Sequence, residues 1–352
     1  MRYLIYGTGA VGGLLGGSLA LAGQEVVFLA RQARAMDLRA HGLHMSGDVP
    51  ERTLPHPVTA TELDQALTYG LPDLILLTVK AYDVEQAGHV LAAAFDRTPP
   101  VVSFLNGIGN EEALASSIGE SQVIPATLTT AVQIHDAGEL RVERSRGIGL
   151  AGLHPMLPAL RSELESAGMQ VRTYIHPARM KWSKLLTNII ANASSAILDW
   201  SAARVYQDPG IARLEIQALR EAIWAMRKLG FSPVNLPGVP VALLGMGLQL
   251  PAAWIRPVLG RMVSRGRGQK KPSLHHDIGR GKSEVAWLNG AVLRVDDPGH
   301  PHTPANALLL EAMQRLVADA SAAAEFRNQP ERLIQLAAQH GVPGMTRYSS
   351  LS

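Results

Sequence analysis

The residues with the clearest chemical meaning stand near the start of the chain. Gly7-Thr8-Gly9-Ala10-Val11-Gly12 follows a short apolar run at residues 3–6 and opens a stretch of small apolar residues. That spacing suits the pyrophosphate of a dinucleotide. The first glycine makes the tight turn out of a strand, the second lets backbone approach the phosphates, and the third lets a helix pack closely on the sheet. The helix N-terminus then offers N–H groups to the anion. An ordinary glycine-rich turn is the alternative, and the expected strand before it and helix after it argue against that.

A second constellation lies far downstream. Lys184, Asn188 and Asn192 recur at i, i+4 and i+8. On one continuous helix over residues 180–198 they form a polar stripe about 80° wide. Asparagine is a poor residue for a helix interior, so using it twice points to a stripe facing a ligand. A solvated or structurally hydrogen-bonded face is the other reading. Further on, Ser273 follows Pro272, and Asp277 precedes Ser283-Glu284 at the start of an expected helix over 283–295. A carboxylate in that position is either chemical or a helix-dipole device.

The end of the second strand selects the dinucleotide. NAD enzymes place an acid there, about 20 residues after the glycines, to accept from the ribose 2′-OH. Here Leu29-Ala30-Arg31-Gln32 holds no acid. Arg31 suits the 2′-phosphate of NADP(H), which an acid would repel. Arg34 is the substitute if Arg31 is only a solvated loop cation. The missing acid also argues against an S-adenosylmethionine enzyme. Lys80 follows a third apolar strand and Asn106 a fourth, where cofactor-proximal groups belong. Either could be a plain turn residue; their succession favours a cofactor edge.

These groups need strands to end beneath them. Residues 25–29, 73–79 and 100–105 are apolar runs of strand length, the last two unbroken enough for parallel strands covered on both faces. Helical segments such as 84–94 lie between them. The expected fold is α/β, an N-terminal Rossmann-type doubly wound parallel sheet plus an all-helical C-terminal domain. Strand signals fade after Tyr174, and helices are expected over 180–198, 210–229, 283–295 and 305–324, with Pro298 as a stop signal. This places an NADP-binding domain at 1–176, a helical substrate domain at 177–342 and a tail at 343–352.

At 352 residues the chain has room for two cores. It has 47% hydrophobic and 18% charged residues, a soluble enzyme's profile, and a net charge of +3, too small to argue for nucleic acid. The absence of cysteine excludes disulfides, thiolate metal sites and cysteine catalysis, and the twelve histidines show no ligand spacing, so no metal is expected. No secretory signal is visible, which makes the cytoplasm the expected location. Residues 229–255 carry no charge or histidine, yet Pro233, Pro237, Pro240 and Pro251 would break a membrane-spanning helix, so short buried helices are expected and no membrane role.

The motifs together resemble the ketopantoate reductases (2-dehydropantoate 2-reductases). The resemblance runs over roughly residues 1–325. It includes the glycine turn, Val79-Lys80-Ala81, Asn106-Gly107-x-Gly109 and Trp182-x-Lys184-Leu185-x-x-Asn188-x-x-x-Asn192. Pro272-Ser273-x-x-x-Asp277, Ser283-Glu284-Val285 and Leu288-Asn289-Gly290 follow in family order. It implies hydride transfer from NADPH to C2 of a 2-oxo acid in a cleft between two domains, ketopantoate of pantothenate synthesis being the first substrate to consider. It makes Lys184 the general acid and Glu284 its positioning partner near the cofactor. Asn188, Asn192 and Ser273 would hold substrate, while Gly7 to Gly12, Arg31, Lys80 and Asn106 fall on cofactor positions. The assembly is compatible with a homodimer.

Three departures stand out. Asp277 to Glu284 is one residue shorter than usual, so that loop must rearrange. Ala193-Ser194-Ser195 replaces a common proline, and Ser201-Ala202 stands where a later polar substrate contact is often found. Residues 236–271 are longer than in compact members and end with Arg256, Arg261, Arg265, Arg267, Lys270 and Lys271. This basic run lacks the interleaved aromatics of a nucleic-acid surface. Another branched 2-oxo acid, an opine- or imine-type substrate, and a non-catalytic NADP sensor are the alternatives.

Overall fold

Alternation along the central strands divides their side chains between two cores. In β1 (Arg2–Tyr6), Tyr3 and Ile5 join one buried cluster and Leu4 the other; in β2 (Glu25–Leu29), Val26 and Phe28 oppose Val27 and Leu29. A strand buried on both faces needs apolar residues at every position, which is why these runs are continuous. The computed structural model describes residues 1–266, 271–297 and 301–345. Pro298, Arg267, Lys270 and the tail beyond 345 lie outside the described residues.

The chain divides into two units, Met1–Lys181 with Leu236–Val239, and Trp182–Asn235 with the chain from Pro240 onward. In the first, the strands continue as β3 (Leu43–Gly47), β4 (Arg52–Leu54), β5 (Val58–Ala60), β6 (Leu74–Leu77), β7 (Val101–Ser103) and β8 (Val123–Leu128). Then come β9 (Ala131–Ile134), β10 (Glu139–Arg144), β11 (Ile148–Ala151) and β12 (Val171–Tyr174). Eight form one sheet in the order β12-β11-β8-β7-β6-β1-β2-β5, parallel throughout except where β11 meets β8. Its helices are α1 (Ala10–Leu21), α2 (Gln32–His41), α3 (Leu63–Leu67), α4 (Val84–Ala94), α5 (Asn110–Ile118) and α6 (Leu157–Ser166).

A second sheet, β4-β3-β10-β9, has no counterpart in the sequence expectations. Its strands are short and half-exposed, so no apolar run marks them. Leu236–Val239, expected in the helical domain, belongs to the first unit, where the Thr129 hydroxyl donates to the Pro237 carbonyl at 2.8 Å.

The described part of the second unit is helical. It contains most of α7 (Pro177–Ile189), then α8 (Ala193–Leu198), α9 (Ala202–Gln207), α10 (Pro209–Lys228), α11 (Val241–Gly247) and α12 (Ala252–Gly266). After these come α13 (Asn289–Leu293), α14 (Pro304–Ala318), α15 (Ala323–Phe326) and α16 (Pro330–Gln339). Four expectations fail here, the last of them in part. The helix over 180–198 is broken, because Ala191 adopts a left-handed φ of 45° between α7 and α8. Buried Glu215 of α10 accepts the Ala191 N–H and the Ser194 hydroxyl, satisfying groups at the break. The helix over 283–295 is instead a 3-10 turn, Glu284–Ala286, followed by α13. The helix over 305–324 stops at Ala318, where extended Asp319 caps a new turn by accepting the Ser321 N–H. Residues 240–255 are short helices as expected but not buried ones: Leu243 and Met246 are exposed. No described helix is long and apolar enough to cross a membrane.

Glu221 of α10 ties the helical unit together. Its carboxyl accepts the Ala305 and Asn306 backbone N–H groups, each at 2.9 Å, and the Asn306 amide at 2.8 Å; Asn306 in turn accepts from the Asn289 amide. Burial pushes the Glu221 carboxyl up to about 7, against the downward pull of these N–H donors. Between the ordinary value of 4.5 and about 7 the folded chain therefore binds more protons than the unfolded one, so stability falls as pH rises through that window. The Glu221→Gln variant should lose this slope, worth up to roughly 3 kcal/mol. Thermal midpoints of both proteins between pH 4.5 and 7.5 test this; parallel profiles would refute it.

Candidate functional site

The glycine turn leaves β1 with Gly7 at φ +102°, a conformation that favours glycine. The three glycines meet different constraints. A Cβ on Gly12 would lie closer than 3 Å to the Gly7 carbonyl, the Thr78 hydroxyl and Ile5, so this position must be bare for α1 to approach β1. A Cβ on Gly9 would meet nothing within 4 Å. The fold does not require glycine there. An anion approaching the backbone does, and no side chain caps the α1 N-terminus formed by Ala10, Val11 and Gly12. Thr8 is buried and its hydroxyl donates to the Leu29 carbonyl at 3.1 Å, fastening the turn to the end of β2. This cradle fits a dinucleotide pyrophosphate.

Arg31 occupies the N-cap position of α2 directly beyond β2 without a side-chain cap, its side chain 89% exposed and its guanidinium 3.3 Å from Asp83. One turn later, Arg34 pairs with Asp37, yet its Nε and Nη2 are buried without partners. Arginine donors thus stand where an NAD enzyme would carry an acid. Lys80 follows β6 and Asn106 follows β7, both half-buried. Gly107 and Gly109, with φ of 91° and 99°, turn the chain from Asn106 into α5. The Asn110 amide donates back to the Asn106 carbonyl at 2.9 Å. The carboxyl ends of parallel strands therefore gather the turn, Arg31, Lys80 and Asn106 on one edge of the sheet.

Lys181 was not among the expected site residues. Its buried ammonium donates to the Leu105 carbonyl at 2.6 Å and lies 2.8 Å from Glu111, which also accepts the Ser103 hydroxyl. It thereby fixes the backbone immediately before Asn106. The sequence carries no trace of this, because the partners are distant in the chain and Lys181 sits between apolar Met180 and Trp182.

In the helical unit, Lys184 and Asn188 are half-buried one turn apart on α7, and Asn192 lies beyond the break. The break removes the continuous stripe but not its polar link. The Asn192 amide donates to the Asn188 carbonyl at 2.9 Å and to the Ser273 hydroxyl at 3.3 Å, and its oxygen accepts the Leu274 N–H. Asp199 holds the same segment through Lys271 at 2.6 Å and His275 at 3.6 Å, on either side of Ser273. Burial works upward on the Asp199 carboxyl, but Lys271, His275 and Arg327 hold it below the usual range.

The loop shortened before Glu284 closes on two left-handed glycines, Gly279 and Gly281, whose N–H groups donate to Leu316 and Val317 of α14. Asp277 accepts the Ser283 hydroxyl at 2.9 Å and the Glu284 N–H at 3.4 Å. Glu284 is buried on the resulting turn.

The unequal demands on the glycines can be separated by mutation. Gly12→Ala should lower folding stability by about 1–3 kcal/mol. Gly9→Ala should leave stability almost unchanged while weakening dinucleotide binding. Thermal melts beside a fluorescence titration with NADPH distinguish them; equal stability losses would contradict the assignment.

Two family models match the chain, Ketopantoate reductase PanE/ApbA over residues 3–152 and Ketopantoate reductase PanE/ApbA C terminal over 178–317. A 2-dehydropantoate 2-reductase of Pyrococcus horikoshii is 26% identical over 321 residues, covering 88% of this chain and 95% of that protein. The counterpart from Halobacterium salinarum is 26% identical over 303 residues, covering 83% and 91%. Among solved structures, a PanE/ApbA family ketopantoate reductase from Ralstonia eutropha JMP134 superposes with a TM-score of 0.76 at 25% identity, over 91% of this chain and 99% of that one. A D-mandelate dehydrogenase bound to NADH and anilino(oxo)acetate shares the fold, with a TM-score of 0.72 at 19% identity over 92% and 99%. The chain belongs to the ketopantoate reductase family and is an oxidoreductase of its NAD(P)-dependent, 2-dehydropantoate 2-reductase-like kind.

Proposed function

We propose that the protein uses NADPH to reduce a 2-oxo acid to the 2-hydroxy acid, with ketopantoate to pantoate in pantothenate synthesis as its reaction in the cytoplasm. The observation that carries the substrate side is the hydrogen-bonded series Asn188–Asn192–Ser273, with Lys184 one turn before it. Bound NADPH supplies a hydride to C2 of the 2-oxo acid. Lys184 stabilises the negative charge that grows on the carbonyl oxygen and then donates a proton to it. Glu284 holds that ammonium in place. Asn188 and Ser273 bind the substrate's hydroxyl and carboxylate. Both N–H groups of the Asn192 amide are already committed, so Asn192 acts by orienting Ser273.

The preference for NADPH rests on Arg31. Its ion pair with Asp83 is exposed and therefore weak, so exchanging that partner for a 2′-phosphate costs little. Arg34 stands one turn away with two further donors. The backbone of Gly7 to Gly12, Lys80 and Asn106 complete the cofactor edge.

Lys184→Ala should lower kcat by about 10²–10⁴ while NADPH still binds. Turnover near wild type would remove Lys184 as the acid. Arg31→Asp should weaken NADPH selectively over NADH, and an unchanged preference would transfer the 2′-phosphate to Arg34. NADPH oxidation with ketopantoate, with other branched 2-oxo acids, and with a 2-oxo acid plus an amine tests the substrate. Turnover only in the amine arm would replace this reading with an imine reductase.

A further inference from the structure

Many arginines elsewhere in the described chain are held by partners. Arg2, Arg161, Arg315 and Arg332 form ion pairs, and Arg39 and Arg220 donate hydrogen bonds to oxygens of Thr59 and Leu248. Three arginines on α12 contrast with them. Arg256, Arg261 and Arg265 form no hydrogen bond or ion pair with any described residue, and all three line one groove of about 470 Å³ between α9 and α12. Gln207 and Ser264 add a neutral amide and a hydroxyl to its lining.

The charge of this groove is not balanced from its own segment. Between Glu221 and Asp277 the sequence contains no Asp or Glu. Asp208, beside Gln207, has Oδ1 committed to capping α10, where it accepts the Gly210 and Ile211 N–H groups at 2.8 and 2.9 Å. On a helix the three arginines span about 13 Å, too far for a single small anion to meet all of them. Guanidinium forks match the oxygens of phosphate in pairs. Trp254, Val258 and Met262, spaced four apart on the same helix, leave an exposed apolar stripe beside Arg261 and Arg265, just outside the lining of the groove.

We propose that the α9–α12 groove is a second ligand site, distinct from the dinucleotide turn, that takes a small organic anion bearing two or more phosphate groups. It lies wholly in the helical unit, whereas the glycine turn lies in the first. The arginines bind the phosphates, and the stripe around Trp254 receives the apolar or aromatic body of the ligand.

Calorimetric titration of the full-length protein with tripolyphosphate and with ATP, the wild type beside the Arg261→Gln/Arg265→Gln variant, tests the site and separates it from the dinucleotide turn. Saturable binding of about one equivalent is expected, weakening with salt. Arg261→Gln/Arg265→Gln should weaken it at least about tenfold, the loss expected for charge-assisted hydrogen bonds. The ligand-free melting temperature and the basal NADPH oxidation rate should not change. Vesicles with and without phosphatidic acid, and a single-stranded oligonucleotide, are titrated in parallel. Binding of the small polyphosphates that depends on the arginines supports the proposal. No saturable binding, equal binding by the double variant, or binding confined to vesicles or to the oligonucleotide overturns it.

Discussion

Helix α1 has almost no room for side chains on two of its faces. Gly12 and Gly16 leave space for Ile5 and Phe28 of the large sheet, while Gly13 and Gly17 leave it for Leu140, Leu43 and Met45 of the small one. Paired glycines four residues apart thus let one helix lie against both sheets. Glycine inside a helix costs about 1 kcal/mol each relative to alanine, so the close approach must return more through packing on both sides. The position of the helix N-terminus depends on this approach, and the cradle for an anion depends on that position.

The candidate residues of the helical unit are held differently. Packing sets the place of the turn, whereas side-chain to backbone hydrogen bonds set the place of Ser273 and Glu284. Asn192 serves Asn188, Ser273 and Leu274 at once, and Asp277 serves Ser283 and Glu284. Each support keeps a candidate side chain from searching other rotamers. The buried carboxylates Glu215 and Glu221 repeat the device deeper in the unit, binding backbone N–H groups at a helix break and at a helix start.

The four central strands of the large sheet, β1, β2, β6 and β7, were legible because strands covered on both faces must be apolar at every position, and α4 was expected between two of them, whereas β5, β8, β11 and β12 were not foreseen. The small sheet was not, since strands such as Glu139–Arg144 alternate charge with apolar groups over a few residues and bury only half of them. Lys184, Asn188 and Asn192 could be found by spacing, but spacing assumed an unbroken helix. Nothing local announces that Ala191 turns left-handed, because the group that accepts its N–H there is Glu215 on another helix. Lys181 is hidden for the same reason. Contacts within one element leave a period in the sequence, and contacts between distant elements leave none.

The empty space beside Gly9 has a meaning for divergence within the family. Gly7 and Gly12 are required by the fold itself, one by its backbone angle and the other by its neighbours. A descendant that abandoned catalysis but kept its architecture would remain bound to those two positions. It would be at liberty at Gly9, where a methyl group touches nothing of the protein. Among relatives with the same scaffold, the middle glycine is therefore the place where inherited purpose can be told apart from inherited shape.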